Sequence, residues 1–391
     1  MNKYIPILAG VAICAALAPE PIRAQQVVWD RTFGGADIDV ARSVQQTSDG
    51  GYILAGHTGS YGDVEGDAWL IKTNSEGVKL WDRTFGGADG DAALSVQQTS
   101  DGGYIVTGYT KSYDEPGEGD VWDVWLVKTD SQGQKLWDRT FGGTDQDEAY
   151  SVQQTSDGGH MVVGETNSYG SGEEDAWLIK TDSEGQKLWD HTFGGADWDG
   201  ALSGQQTSDG GYILAGFTKS DGAGECDVWL IKTDSEGREL WDRTFGGADF
   251  EEAFSVQQTS DGGYIVAGYT RSDGADKGDV WLIKTDPAGL ELWDRTFGGA
   301  EFDGAKCVQQ TSDGGYIVAC ETFSYGAGKC DVWLIKTDSA GEKLWDRTFG
   351  GASDDCYPAV QQTSDGAYIV SGYTESYGAG KGDAWLIKIV E

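Results

Sequence analysis

Short runs in which apolar and polar residues alternate recur along the chain from residue 27 onward, and apolar positions nowhere keep a sustained helical spacing. Four runs follow one another: AxSVQQT, YIVAGYT, DxWLIKT and KLWDRTF, where x varies. Period-two alternation rich in β-branched and aromatic residues is the pattern of strands. Between the first two runs stands SDGG, whose Asp-Gly supplies the positive φ of a tight hairpin, and TDSEG or a close variant turns the chain between the last two. The whole unit then repeats. Its leading tryptophans, Trp29, Trp81, Trp137, Trp189, Trp241, Trp293 and Trp345, lie 52 residues apart except for one step of 56. A period of this size marks solenoids, propellers or arrays. Four strands in each of seven units predict an all-β fold, a seven-bladed β-propeller of four antiparallel strands per blade.

The repeats open on VVWDRTF, a fourth strand without its first three, and end on DAWLIKIVE, a third strand without its fourth. The simplest closure pairs Val27 to Phe33 with Asp383 to Val390, which leaves no open edge inside the ring. The predicted blades span about 40–86, 92–142, 148–194, 200–246, 252–298, 304–350, and 356–391 completed by 27–35.

The order of hairpin, glycine-containing YIVAGYT, WLIKTDSEG and tryptophan resembles kelch blades. The stretch FGGADxDxAxSV followed by DGGYIVAGYT is similar to bacterial SBBP-type seven-bladed propeller repeats. The resemblance implies that SVQQT is innermost and WDRTF outermost. It implies a scaffold without a shared catalytic set.

Residues 1–24 read as a secretory signal peptide, with Lys3 in the charged region, an apolar core from Tyr4 to Ala18 and cleavage after Ala24. A lipoprotein reading through Cys14 meets Ile13, too large for the usual small residue. The apolar core is short for a membrane span and nothing later is longer, so a secreted, periplasmic or cell-surface monomer without a transmembrane segment is expected. A net charge of −37 argues against nucleic acid and anionic membranes as partners. It is read first as a solvated, self-repelling surface, with cation binding as the alternative.

Fourteen of the sixteen tryptophans occupy two fixed places, the WDRTF position and the WLIKT position, and recurrence in every blade makes them core. The aspartates opening the third strand (Asp67, Asp123, Asp175, Asp227, Asp279, Asp331, Asp383) are expected to accept backbone hydrogen bonds at a turn. Beyond the leader stand Cys226, Cys307, Cys320, Cys330 and Cys356. Counting outward from the turn of CVQQTSDGGYIVAC sets Cys307 opposite Cys320 and predicts a disulfide there, against two unlinked thiols. Cys330 with Cys356 stays open as a second pairing. Cys226 and Cys330, two blades apart, should not pair.

Comparison of the copies shows nearly constant strands. Variation gathers in the link from fourth strand to next first strand and in the loop from second to third strand, including His57 to Gly66, Thr110 to Asp123 with Glu115, Pro116 and Trp122, and Glu165 to Glu174. In a propeller these connections share one face, where function is expected. Two constellations lie there. One is an acid per link, Asp39, Asp91, Asp147, Asp199, Glu251, Asp303 and Asp355, which either ring the axis and bind calcium or fasten each link to its surroundings. The other is an aromatic arc, Trp198, Phe250 and Phe302, suited to stacking on sugars or anchoring a partner, or else to covering the blade junction. Trp122 joins the candidate ligand-binding residues.

Three histidines at unrelated positions, His57, His160 and His191, offer no triad or zinc site, and repetition makes the acidic pairs equivalent where a glycosidase needs unlike ones. No catalytic residue and no cofactor other than calcium is expected. The composition therefore points to a non-catalytic binding or scaffold propeller recognising an extracellular carbohydrate or protein. A purely structural acidic surface or matrix protein is the alternative, and a sugar-cleaving enzyme the third reading.

Overall fold

The computed structural model describes residues 26–63, 65–112, 121–272 and 277–391. The leader, with Cys14, and the loop residues Glu115 and Pro116 lie outside them. Twenty-eight strands form seven four-stranded antiparallel sheets arranged as a seven-bladed propeller. In blade 1 the strands are Asp39–Gln46, Tyr52–Thr58, Asp67–Thr73 and Lys79–Phe85, in sheet order. Five further blades repeat this order. The seventh takes its fourth strand from the chain start, where Gln26–Phe33 pairs antiparallel with Asp383–Val390. No helix among the described residues is long and apolar enough to cross a membrane.

Both faces of a blade are covered by neighbours, so the middle strands are buried along their length, as in YILAGHT and DAWLIKT. The core is a set of seven interfaces. At one of them Ile53, Ala55 and Leu70 of blade 1 meet Ala93, Val96, Tyr104 and Trp125 of blade 2. At the closing one, Phe33, Ile369 and Leu386 of blade 7 meet Ala41, Tyr52 and Trp69 of blade 1. The outer tryptophans are half-buried. Trp29 lies against Gly77, where φ is +73° and a Cβ would come within 2.6 Å of the indole.

The inner strands are tied around the axis by side chains. Gln45 Oε1 accepts from Gln98 N at 2.6 Å, Gln97 from Gln154 N at 2.5 Å, and the series closes where Gln361 accepts from Gln46 N at 2.5 Å. Each first strand thus grips the next.

A lysine near the end of each third strand, buried in blades 1 to 6, meets the aspartate of the DGG or DGA turn. Lys180 Nζ donates to the Thr181 carbonyl at 2.8 Å and pairs with Asp157 at 3.0 Å, and Lys336 with Asp313 at 2.9 Å. Burial alone would raise these carboxyls, but hydrogen bonds from threonine, lysine and a glycine N–H outweigh it and hold Asp101, Asp157 and Asp313 at about 2. At the third-strand starts the balance is reversed. Burial pushes Asp67, Asp175, Asp331 and Asp383 upward despite backbone donors, and a neighbouring carboxylate adds to it.

The signs predict opposite trends. A raised carboxyl favours the native state at low pH, and that contribution fades as pH rises through its folded value. A depressed one contributes fully above the unfolded value of about 3.9 and loses its contribution as pH falls toward 2. The urea midpoint is expected to rise as pH is lowered toward about 4 and to fall steeply below it. A midpoint that keeps rising down to pH 2 would contradict the turn pairs.

The predicted Cys307–Cys320 disulfide is corrected. The hairpin pairs Gln310 with Tyr316, one residue off the symmetric count, so Cys307 lies opposite Ala319, and a bulge at Lys306 then sets Cys320 opposite Ala305. Both thiols are free, as is Cys226. The bridge is Cys330–Cys356, with Cα atoms 6.0 Å apart, joining blade 6 to blade 7.

Candidate functional site

The bulge in blade 6 is one of a set. In blade 1 Ala41 faces Gly56 and Ser43 faces Ala55, so Arg42 has no cross-strand partner. The same shift isolates Leu94, Tyr150, Leu202, Phe254 and Lys306 in the following blades. A bulge adds one residue to a strand and re-aims its side chain. All of these side chains line one cavity of about 790 Å³ at the mouth of the axial channel. Tyr357 and Pro358 occupy the corresponding place in blade 7, where the shift lies between Cys356 and Ala359. Tyr357 is a non-glycine residue at φ 58°, a conformation that costs roughly 1–3 kcal/mol.

Within otherwise constant AxSVQQT strands, x is therefore the variable that the mouth displays. Reading the strands as nearly constant passed over it. The signal was present in the aligned copies as Arg, Leu, Tyr, Leu, Phe and Lys at one position.

The mouth is unlike on its different sides. In blade 3, Tyr150 donates to Glu165 and, at 3.1 Å, to Glu148. Burial lifts Glu165 well above the usual carboxylate range, with the charge of Glu174 adding to it, and burial also raises Glu148, Glu174 and the Tyr150 phenol. Blade 4 and the start of blade 5 supply an aromatic wall, Trp198, Phe217, Phe250 and Phe254. The cations sit on rings: Lys219 at 4.2 Å from the Trp198 centre, Lys306 at 3.7 Å from Phe254, and Arg42 at 3.7 Å from Tyr357.

The expected aromatic arc is divided. Trp198 is 47% exposed and Phe250 half-buried, both on the mouth, with Lys219 between them. Phe302 is outside the mouth lining and packs on Tyr269 and Phe323, with ring centres 5.2 and 6.2 Å apart. Trp122 stacks on Tyr109 at 4.9 Å, and Tyr109 rather than Trp122 reaches the mouth.

The seven link acids are buried and spent locally. Asp39 accepts from Gly35 N at 2.8 Å and Ser60 Oγ at 2.6 Å, and from Thr58 Oγ1. Asp91, Asp147, Asp199, Glu251, Asp303 and Asp355 each accept from the corresponding glycine N–H at 2.7 to 3.0 Å. Among the described residues no group of three or more His, Cys, Asp or Glu is placed to hold a metal ion. The third-strand aspartates do what the sequence implied: Asp67 accepts from Asp63 N at 2.8 Å and Asp175 from Ser171 N at 2.7 Å.

Fold and mouth together define a class, a seven-bladed β-propeller whose inner-strand bulges build one asymmetric cavity. No family model matches the chain. It is 27% identical over 243 residues to the regulatory protein FlaEY of Caulobacter vibrioides, a match covering 56% of this chain and 25% of that protein. The chain therefore spans about a quarter of that relative's length. Among solved structures, the polysaccharide lyase Uly1 aligns with a TM-score of 0.56 over 92% of this chain and 91% of its own at 12% identity. Sqt1 from Chaetomium thermophilum aligns at 0.50 over 89% and 83%, at 11% identity. At such identities the likeness is one of fold.

Proposed function

We propose that this chain is an exported, non-catalytic propeller of the SBBP or kelch-like kind that binds an extracellular carbohydrate in the mouth. The observation that carries the reading is the exposed Trp198 beside Phe250 on a concave wall, with the carboxyls of blade 3 next to it as hydrogen-bond partners for hydroxyls. Sugar rings stack on such faces while their hydroxyls take polar partners. A purely structural spacer has no use for bulge side chains that vary among arginine, leucine, tyrosine, phenylalanine and lysine. The acids of the links are committed to their own blades, so binding is expected to survive chelation of calcium.

Glycan-array screening of the chain, followed by calorimetry with EDTA, tests this. Trp198→Ala is expected to weaken the selected glycan about tenfold, equivalent to ~1.4 kcal/mol, with the melting temperature unchanged. Affinity indifferent to Trp198 would remove the reading. The blade 3 cluster favours a second one, a sugar-cleaving enzyme with Glu165, whose carboxyl burial raises well above the usual range, as general acid. Release of new reducing ends from a bound glycan, abolished by Glu165→Gln, would move the function there.

A further inference from the structure

Arg42 is a charge in the mouth that no carboxylate answers among the described residues. It is half-buried on the blade 1 bulge and lines the cavity. Its Nε is buried without an acceptor. Lys306, on the equivalent bulge of blade 6, pairs with Glu321 at 3.6 Å, whereas Arg42 makes no ion pair among the described residues. That is unexpected in a chain of 65 acids and 28 bases. The Tyr357 ring lies beneath it, and its charge acts on Tyr109 and on His57, which burial and then the Arg42 charge push down to about 4. Tyr357 is held for this contact, since its backbone N–H donates to Glu321 at 2.9 Å.

Stacking on one ring occupies a face of the guanidinium, and with Nε buried the donors left for the cavity that Arg42 lines are on its Nη–H edge. That edge is the fork a planar carboxylate accepts with two parallel hydrogen bonds. A tetrahedral sulfate or phosphate would call on a second cation, and Lys219 and Lys306 are engaged on Trp198 and Phe254.

We propose that the mouth selects a sugar that carries a carboxylate, a uronate-type residue, and that Arg42 receives the carboxylate while the ring lies toward the Trp198 wall. This rests on the mouth being a glycan site, and the test separates the two ideas. A panel of uronate-containing oligosaccharides, their carboxyl-reduced neutral forms, a sulfated glycan and a hexaglutamate peptide are titrated into the full chain, with the Arg42 Nε–H resonance followed by NMR. Uronate forms are expected to bind at least tenfold tighter than the reduced forms and to shift that resonance. Arg42→Gln should erase the preference without lowering affinity for neutral sugars, and Arg42→Lys should restore part of it. Equal affinity for acidic and reduced sugars, with Arg42→Gln silent, overturns the inference and leaves the glycan reading standing. Preference for the sulfated glycan or for hexaglutamate overturns the uronate assignment. Binding of no sugar in the panel removes both.

Discussion

A chain that begins at Gly34 is expected to lose cooperative folding. Removing Gln26–Phe33 strips the seventh blade of its outer strand and uncovers the edge of Asp383–Val390, from Ala384 opposite Phe33 to Val390 opposite Gln26. It also empties an interface between blades, because Phe33 is only 8% exposed and packs with Leu386 of its own blade and Tyr52 and Trp69 of the next. Phe33→Ala alone should cost about 3–5 kcal/mol. The deletion adds the lost ladder and the half-buried Trp29, so the expected loss exceeds that of the point substitution. Urea denaturation followed by tryptophan fluorescence measures both, and a peptide of the deleted residues added in trans should recover part of the signal. A truncated chain as stable as the full one would show that closure is dispensable.

The second large effect is expected from the Cys330–Cys356 bridge. With 26 residues between its ends, the chain-entropy relation gives a contribution of roughly 3–4 kcal/mol. The double variant Cys330→Ala, Cys356→Ala should lose that much, whereas Cys307→Ser, which restores the residue of the other blades, should lose little. Alkylation of the unfolded, unreduced chain should mark Cys226, Cys307 and Cys320 and spare Cys330 and Cys356 until reductant is added. Labelling of all these thiols without reductant would eliminate the bridge.

Much of this architecture is legible in one dimension because each strand repeats at fixed spacing. A hairpin turn such as SDGG is chosen by the residues inside it, and the alternation of YIVAGYT and DxWLIKT needs no partner to be recognised. The roles of repeated residues were equally open to inspection. Seven aspartates at the same place beside a turn can only have a local job, and Asp67 and Asp175 perform it.

The site was less legible, and the reason is register. Whether Cys307 meets Cys320 depends on the register in which the strands leave the turn, and whether Arg42 faces the core or the mouth depends on one unpaired residue in the first strand; both are set by contact between strands. The aromatic arc is divided for a related reason. Trp198, Phe250 and Phe302 share a repeat position, but Tyr269 and Phe323 give Phe302 neighbours to pack on, while Trp198 is met by Lys219 at the cavity.

The sequence by itself determined the strands, their number, the ring and the manner of its closing, since those follow from local alternation and a constant period. Tertiary structure alone decided which side chains meet across blades and which enter the mouth. A single extra residue in a ladder turns a side chain to the other face, and only the paired strand fixes where that residue falls.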